Sequence, residues 1–146
     1  MTAHVLVPSL DEEKPATLSP RIIQAVLREE LGYPGVILSD DLEMKALAKS
    51  YAVPEAAVQA IAAGCDALLV CSGDLEVQAA TLEALVHAVE DGRIAYTRLE
   101  GALKRLRHAK ERFLAAPVGT GRAPRLKHVL GCDAHQRIAE EMSRYL

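Results

Sequence analysis

Gly35-Val36-Ile37-Leu38-Ser39-Asp40-Asp41-Leu42-Glu43-Met44 is the stretch on which the fold of this 146-residue chain turns. Gly35 to Leu38 is a short apolar run, and a serine and two adjacent acids follow it at once. An apolar run without alternation suits a strand covered on both faces, as in a parallel sheet. Such a strand delivers Asp40 to the sheet rim with low-dielectric walls behind it. A carboxylate held there can serve as nucleophile, base or metal ligand. Asp40 or Asp41 can equally cap the short helical turn expected over 42–47. Spacing alone leaves cap and catalyst level, and two adjacent acids can divide the roles.

Two further runs flank this one. Ala3-His4-Val5-Leu6-Val7 is short and apolar, and Pro8 stops it; Asp66 to Cys71 is the third. The three centres, near Val5, Ile37 and Leu68, lie about 30 residues apart, the period of βα units in a parallel sheet. Between them stand helix signals. Ser19-Pro20 opens a helix that Gly32 closes, Pro54 opens one that Gly64 closes, and Leu75 to Val89 reads as a third. Thr97-Arg98-Leu99-Glu100 has the form of a capping box at the head of a helix running through Phe113. A loop over Gly119 to Pro124 and a last helix over Ala134 to Tyr145 complete the chain. The expected fold is α/β, with three parallel strands at about 2–7, 35–39 and 66–71.

Composition narrows the functions. Half of the residues are apolar, and the net charge is −3, which speaks against binding nucleic acid by phosphate neutralisation. Apolar runs are too short for a membrane span, and the N-terminus lacks a signal-peptide pattern. Three cysteines without a CxxC spacing argue against a disulfide framework or zinc site and fit a reducing cytoplasm. Phosphate-loop and dinucleotide patterns are absent, and no cofactor is expected. His4, in the middle of the first run, is by itself more often a hydrogen-bonded core histidine than a catalyst. Met44 reads as core or pocket wall. The basic cluster around Lys104 to Lys110 is balanced by acids and reads as a solvated helix face.

Met1 to Val5, Pro15-Ala16-Thr17-Leu18-Ser19, Leu31 to Met44 and Ala62 to Cys71 together resemble the bacterial β-N-acetylglucosaminidases of glycoside hydrolase family 3. The resemblance implies a (β/α)8 barrel and a retaining mechanism through a covalent glycosyl-enzyme intermediate. It makes Asp40 the nucleophile, leaves Asp41 as a structural acid, and implies a substrate containing β-linked N-acetylglucosamine. Met44 and His4 are the candidates for contact with the sugar. Residues 1–115 would be the C-terminal portion of the barrel domain, and 116–146 a loop and C-terminal helix. The family's His–Asp acid/base pair and its sugar-gripping Lys-His segment are not among these residues, and His4 does not match the acid/base histidine. Three parallel strands cannot close a barrel. An open apolar edge then calls for a partner chain or a second copy to cover it. Three readings stand open: a family 3 glycosidase by descent, a non-catalytic or split piece of one, and a small α/β ligand-binding module.

Overall fold

The computed structural model describes residues 1–114 and 130–145. It divides into two compact units, Met1–Arg112 and Phe113–Leu146. In the second, helix α5 (Asp133–Ser143) has no buried residue, and Ser143 Oγ donates to the Glu140 carbonyl at 2.8 Å. The expected last helix is there, while the expected loop over Gly119 to Pro124 lies outside the described residues.

The first unit is built on a parallel pair, β1 (Leu38–Asp41) and β2 (Ala67–Leu69). A short 3₁₀ turn (Ala16–Leu18) and a π-helix (Arg21–Glu30) precede β1. Helices α1 (Lys45–Ala48) and α2 (Val53–Ala63) connect the strands, and α3 (Leu75–Glu90) and α4 (Tyr96–Leu114) follow. The α/β class is therefore as expected, but the described residues form two strands rather than three. The segment at 2–7 runs beside β1 with one ladder bond, Thr2 N–H to the Leu38 carbonyl at 2.8 Å. Its other polar groups go elsewhere: the Val5 carbonyl accepts from Ala16 N–H, and Val7 turns back to pair with Asp11.

Both strands are also displaced from their expected limits, for one reason. Side chains take over the backbone groups that a longer ladder would have used. Arg28 Nη1 donates to the carbonyls of Tyr33 (2.8 Å) and Gly35 (2.5 Å), and Ile37 N–H donates to Asp66 Oδ2 at 2.9 Å. The Gly35 carbonyl and the Ile37 N–H are thus taken by side chains, the Ile37 carbonyl accepts from Asp66 N–H at 2.7 Å, and β1 starts at Leu38. Beyond β2, Cys71 N–H donates to Asp41 Oδ1 (3.3 Å) and Ser72 N–H to Glu43 Oε2 (2.7 Å), ending the ladder at Leu69.

The helices keep to their signals with two changes. Ser19 Oγ accepts from Ile22 N–H at 3.2 Å, as a capping serine does, but the helix it opens is π-wound, with Leu31 N–H bonded five residues back to Val26. Helix α4 begins at Tyr96, because Arg98 N–H and Leu99 N–H already bond the Ala95 carbonyl; Thr97 lies inside the helix and does not cap it. Asp74 supplies an N-cap for α3, accepting from Glu76 N–H at 2.9 Å. At the end of α2, Gly64 has φ +126°, and a Cβ there would stand 2.7 Å from Ile23 Cγ2. Glycine is required on both counts, and its absence of a side chain lets α2 lie close to the π-helix.

The core lies beside the sheet and around α2. Leu18, Ile23, Ile37, Leu42 and Leu47 pack with the alanines 56, 57, 60 and 63 of α2, and Cys65 joins them. Val58 and Ile61, Ala88 of α3 and Ile94 form a second cluster. Alanines give α2 a thin profile, which suits a helix packed on several neighbours at once. Burial pushes the Cys65 thiol up to about 12, so it behaves as a small apolar residue.

At the N-terminal ends of the strands sits Asp66, with its side chain fully buried. Its carboxylate accepts from Arg28, from Arg98 (3.2 Å), from Arg105 (Nη2 2.8 Å) and from Ile37 N–H. Burial works to raise its pKa. The Arg105 hydrogen bond, the Ile37 amide and the Arg105 and Arg28 charges outweigh this and hold the carboxyl below the ordinary 3.8. A depressed native value stabilises the fold above the unfolded value, and that contribution drains away as pH falls through the native one. Asp66→Asn is expected to lose roughly 3–5 kcal/mol at pH 7, the scale for breaking a buried ion pair. Urea unfolding of both forms checks this, with the gap narrowing below pH 3.8 as the wild-type carboxyl takes up its proton.

Candidate active site

The opposite, C-terminal ends of the strands carry the two acids. Leu38 pairs with Ala67 and Asp41 with Leu69, so three steps along β1 match two along β2. One extra residue is therefore bulged out of β1 between these pairs. Bulges turn side chains away from their regular direction and recur beside functional sites. Here the bulge is pinned by Ser39, which is fully buried and accepts from Leu69 N–H at 3.0 Å. The hydroxyl replaces the main-chain acceptor that the bulge has removed.

Asp40 stands next to this pin, half-buried at the rim. Its Oδ1 accepts from Asp41 N–H at 2.9 Å, and Oδ2 makes no hydrogen bond within the described residues. Asp41 is differently placed. Its Oδ1 accepts from Glu43 N–H (3.2 Å) and from Cys71 N–H (3.3 Å), tying the tip of β1 to the chain after β2. Glu43 makes a second tie through Ser72, whose hydroxyl and N–H bonds hold its carboxyl below the usual range. Desolvation and the carboxylate of Asp41 raise the Cys71 thiol above its ordinary value, so Cys71 is a poor nucleophile.

His4 reaches the same rim from the N-terminal segment. Its Nε2 lies 2.8 Å from the Asp41 carbonyl, and Nδ1 lies 2.9 Å from Thr17 Oγ1, which in turn is 2.9 Å from Thr2 Oγ1. Met44 follows the acids with 45% of its surface exposed, at the head of α1. Asp40, His4 and Met44 are thus all placed around the end of β1. The sequence places Ser39 at the strand end without giving it a role, and gives none to Glu43, Thr2 and Thr17. The first two lie inside the decisive stretch but carry no spacing signal, because their partners, Leu69 and Ser72, are about 30 residues away. Among the described residues no group of three His, Cys, Asp or Glu side chains could hold a metal ion, and no helix is long and apolar enough to cross a membrane.

Removing the Ser39 hydroxyl leaves the Leu69 N–H without its acceptor. Ser39→Ala is expected to cost about 1–3 kcal/mol. Amide exchange at Leu69 should quicken in that variant and not in Ser50→Ala, whose side chain is exposed.

Residues 1–109 match the family model described as the glycosyl hydrolase family 3 N-terminal domain. Among curated proteins, the chain is similar to a beta-hexosaminidase of Stenotrophomonas maltophilia (strain K279a), 40% identical over 105 residues, covering 72% of this chain and 29% of that protein. A beta-hexosaminidase of Nitrosomonas eutropha is 34% identical over 120 residues, covering 80% of this chain and 34% of its own length. Among solved structures, a glycoside hydrolase family 3 beta-N-acetylglucosaminidase from Paenibacillus sp. str. FPU-7 superposes with a TM-score of 0.74 at 50% identity, over 77% of this chain and 21% of that one. The beta-N-acetylglucosaminidase from Thermotoga maritima gives 0.66 at 37% identity, over 74% and 24%. This chain spans about a third or less of the length of these relatives.

Proposed function

The chain belongs to glycosyl hydrolase family 3 through its N-terminal domain, and on that premise we propose that it carries the nucleophile of a retaining β-N-acetylglucosaminidase, with Asp40 in that role. The substrate is a saccharide with a β-linked N-acetylglucosamine, of the kind released when cell-wall fragments are recycled. Residues 1–115 form part of a (β/α)8 barrel in this reading, with 116–146 as an appended loop and helix. The observation that carries it is the setting of Asp40: a half-buried carboxylate on a bulge at the C-terminal end of a parallel strand, with one oxygen uncommitted among the described residues. That end of a strand is where barrel enzymes place their chemistry.

In the first step an Asp40 oxygen attacks the anomeric carbon. The glycosidic C–O bond breaks, and the departing oxygen leaves with the bonding pair and takes a proton from a general acid. Water then attacks the same carbon, gives its proton to the conjugate base of that acid, and the bond to Asp40 breaks to release the carboxylate. The general acid is not among these residues, so protonation of the leaving group falls to another part of a longer protein or to a partner chain. Met44, 45% exposed at the head of α1, is assigned in this reading to the wall of the sugar site. His4 has both ring nitrogens engaged within the chain, so it offers a sugar only its ring carbons. The three cysteines are free, in keeping with a reducing cytoplasm.

A second reading, of a non-catalytic piece or one half of a split enzyme, is favoured by the N-terminal edge. Met1, Val5 and Leu6 are 79%, 53% and 52% exposed, in a segment that makes one main-chain bond to β1 among the described residues. A partner chain or a second copy would cover that edge.

An aryl β-N-acetylglucosaminide with a good leaving group needs little acid assistance, so it isolates the nucleophile's contribution. The wild-type chain is expected to release the aryl group slowly and to carry the sugar on the peptide containing Asp40. Asp40→Ala should fall at least about 100-fold and form no adduct. Equal rates in the two forms remove Asp40 from the chemistry.

A further inference from the structure

Resting on the reading of Asp40 as nucleophile, we propose that His4 is a positioning residue for it, acting through the Asp41 carbonyl and not through contact with the sugar. The direction of each hydrogen bond follows from the partners. A carbonyl oxygen only accepts, so His4 Nε2 carries the hydrogen and donates to Asp41 at 2.8 Å. Nδ1 of the neutral ring is then the acceptor, and the Thr17 hydroxyl donates to it at 2.9 Å. Thr17 is fully buried, and its oxygen receives the Thr2 hydroxyl at 2.9 Å. The relay therefore runs one way, from Thr2 through Thr17 and His4 to Asp41. It holds the imidazole in one tautomer and one orientation.

What His4 grips is the peptide unit between Asp41 and Leu42. Its N–H donates to the Leu69 carbonyl at 3.0 Å, and its carbonyl also accepts from Met44 N–H at 3.1 Å. With His4 as a third partner, this unit is fixed from β2, from the head of α1 and from the N-terminal segment. Ser39 fixes the other side of the bulge. Asp40 thus hangs between two anchored points, and its Oδ1 is steadied by Asp41 N–H. A nucleophile must be held within about half an ångström of its productive position. A bulged strand end with an uncovered neighbour does not do this alone, and His4 supplies the missing constraint from the side where a third strand was expected.

The Asp41 N–H reports on the Asp40 carboxylate directly, whether or not the chain turns over. Three forms are compared: wild type, His4→Phe, which removes both ring nitrogens, and His4→Gln, which restores one donor. Nitrogen-15 spectra of the wild type should show a single Nε2–H tautomer. His4→Phe should exchange the Asp41 and Leu42 amides at least about 10-fold faster, with His4→Gln close to wild type. On the aryl β-N-acetylglucosaminide, His4→Phe should lose about 10- to 100-fold in kcat with KM nearly unchanged, and His4→Gln should recover most of it. Should His4→Phe fail to fold, Thr17→Val keeps the imidazole and removes its donor, along with the acceptor of the Thr2 hydroxyl; a mixed tautomer and faster Asp41 exchange are then expected. Unchanged exchange at Asp41 in the folded variant overturns the proposal, as does an Nδ1–H tautomer in the wild type. Missing Asp40-dependent hydrolysis with the exchange pattern intact overturns the nucleophile alone.

Discussion

Asp66 draws four separate parts of the chain onto one carboxylate: the π-helix through Arg28, the approach to β1 through Ile37, its own strand, and α4 through Arg98 and Arg105. Such an arrangement stands only as a whole. Three cations around one buried anion leave an excess of positive charge, and part of that is met by carbonyls. Arg98 donates to those of Ile61 and Cys65, at the negative end of α2. A cation placed there satisfies the last turn of α2 and the residue just before β2 together. This sets the register of the sheet from its N-terminal ends and leaves the C-terminal ends free to carry acids that stability alone would not call for.

The two ends of the sheet are finished by the same device. At the bottom, Arg28 and Asp66 take the backbone groups before β1. At the top, Asp41 and Glu43 take the amides after β2. Strands of four and three residues follow, with side chains completing what longer ladders would supply. Shortening has a geometrical effect. A long regular strand would fix Asp40 on one face by alternation, whereas a short strand with a bulge held by Ser39 can aim it along the rim.

This explains how far the fold could be read beforehand. Apolar runs around Ile37 and Leu68 and the closing glycines 32 and 64 are local signals, and the parallel pair and the helix ends follow them. The acids at the tip of β1 are local too, which is why Asp40 stood out. What escaped is everything that depends on partners distant in the chain. Nothing near Asp66 announces three arginines at positions 28, 98 and 105, and nothing near His4 announces Thr17 and Asp41 on either side of its ring. The first run misled for a related reason. Val5 and Leu6 have strand propensity, yet both are more than half exposed, and propensity without a covered face does not make a strand.

The two adjacent acids differ in their hydrogen bonding. A carboxylate that receives two amides is committed: its charge is spent on structure, and moving it would unfasten the tips of both strands. Asp41 is in that position, with Glu43 and Cys71 as its donors. Asp40 receives one amide, from its immediate neighbour, and keeps an oxygen available. The neighbour that holds Asp40 is the residue that holds the strand ends, so the two acids belong to a single arrangement. The expected capping of the helix after β1 by either acid is not found: its N-cap is Met44 without a side-chain bond, and Asp41 instead ties the chain after β1 to the chain after β2 beside the bulge between Leu38 and Asp41.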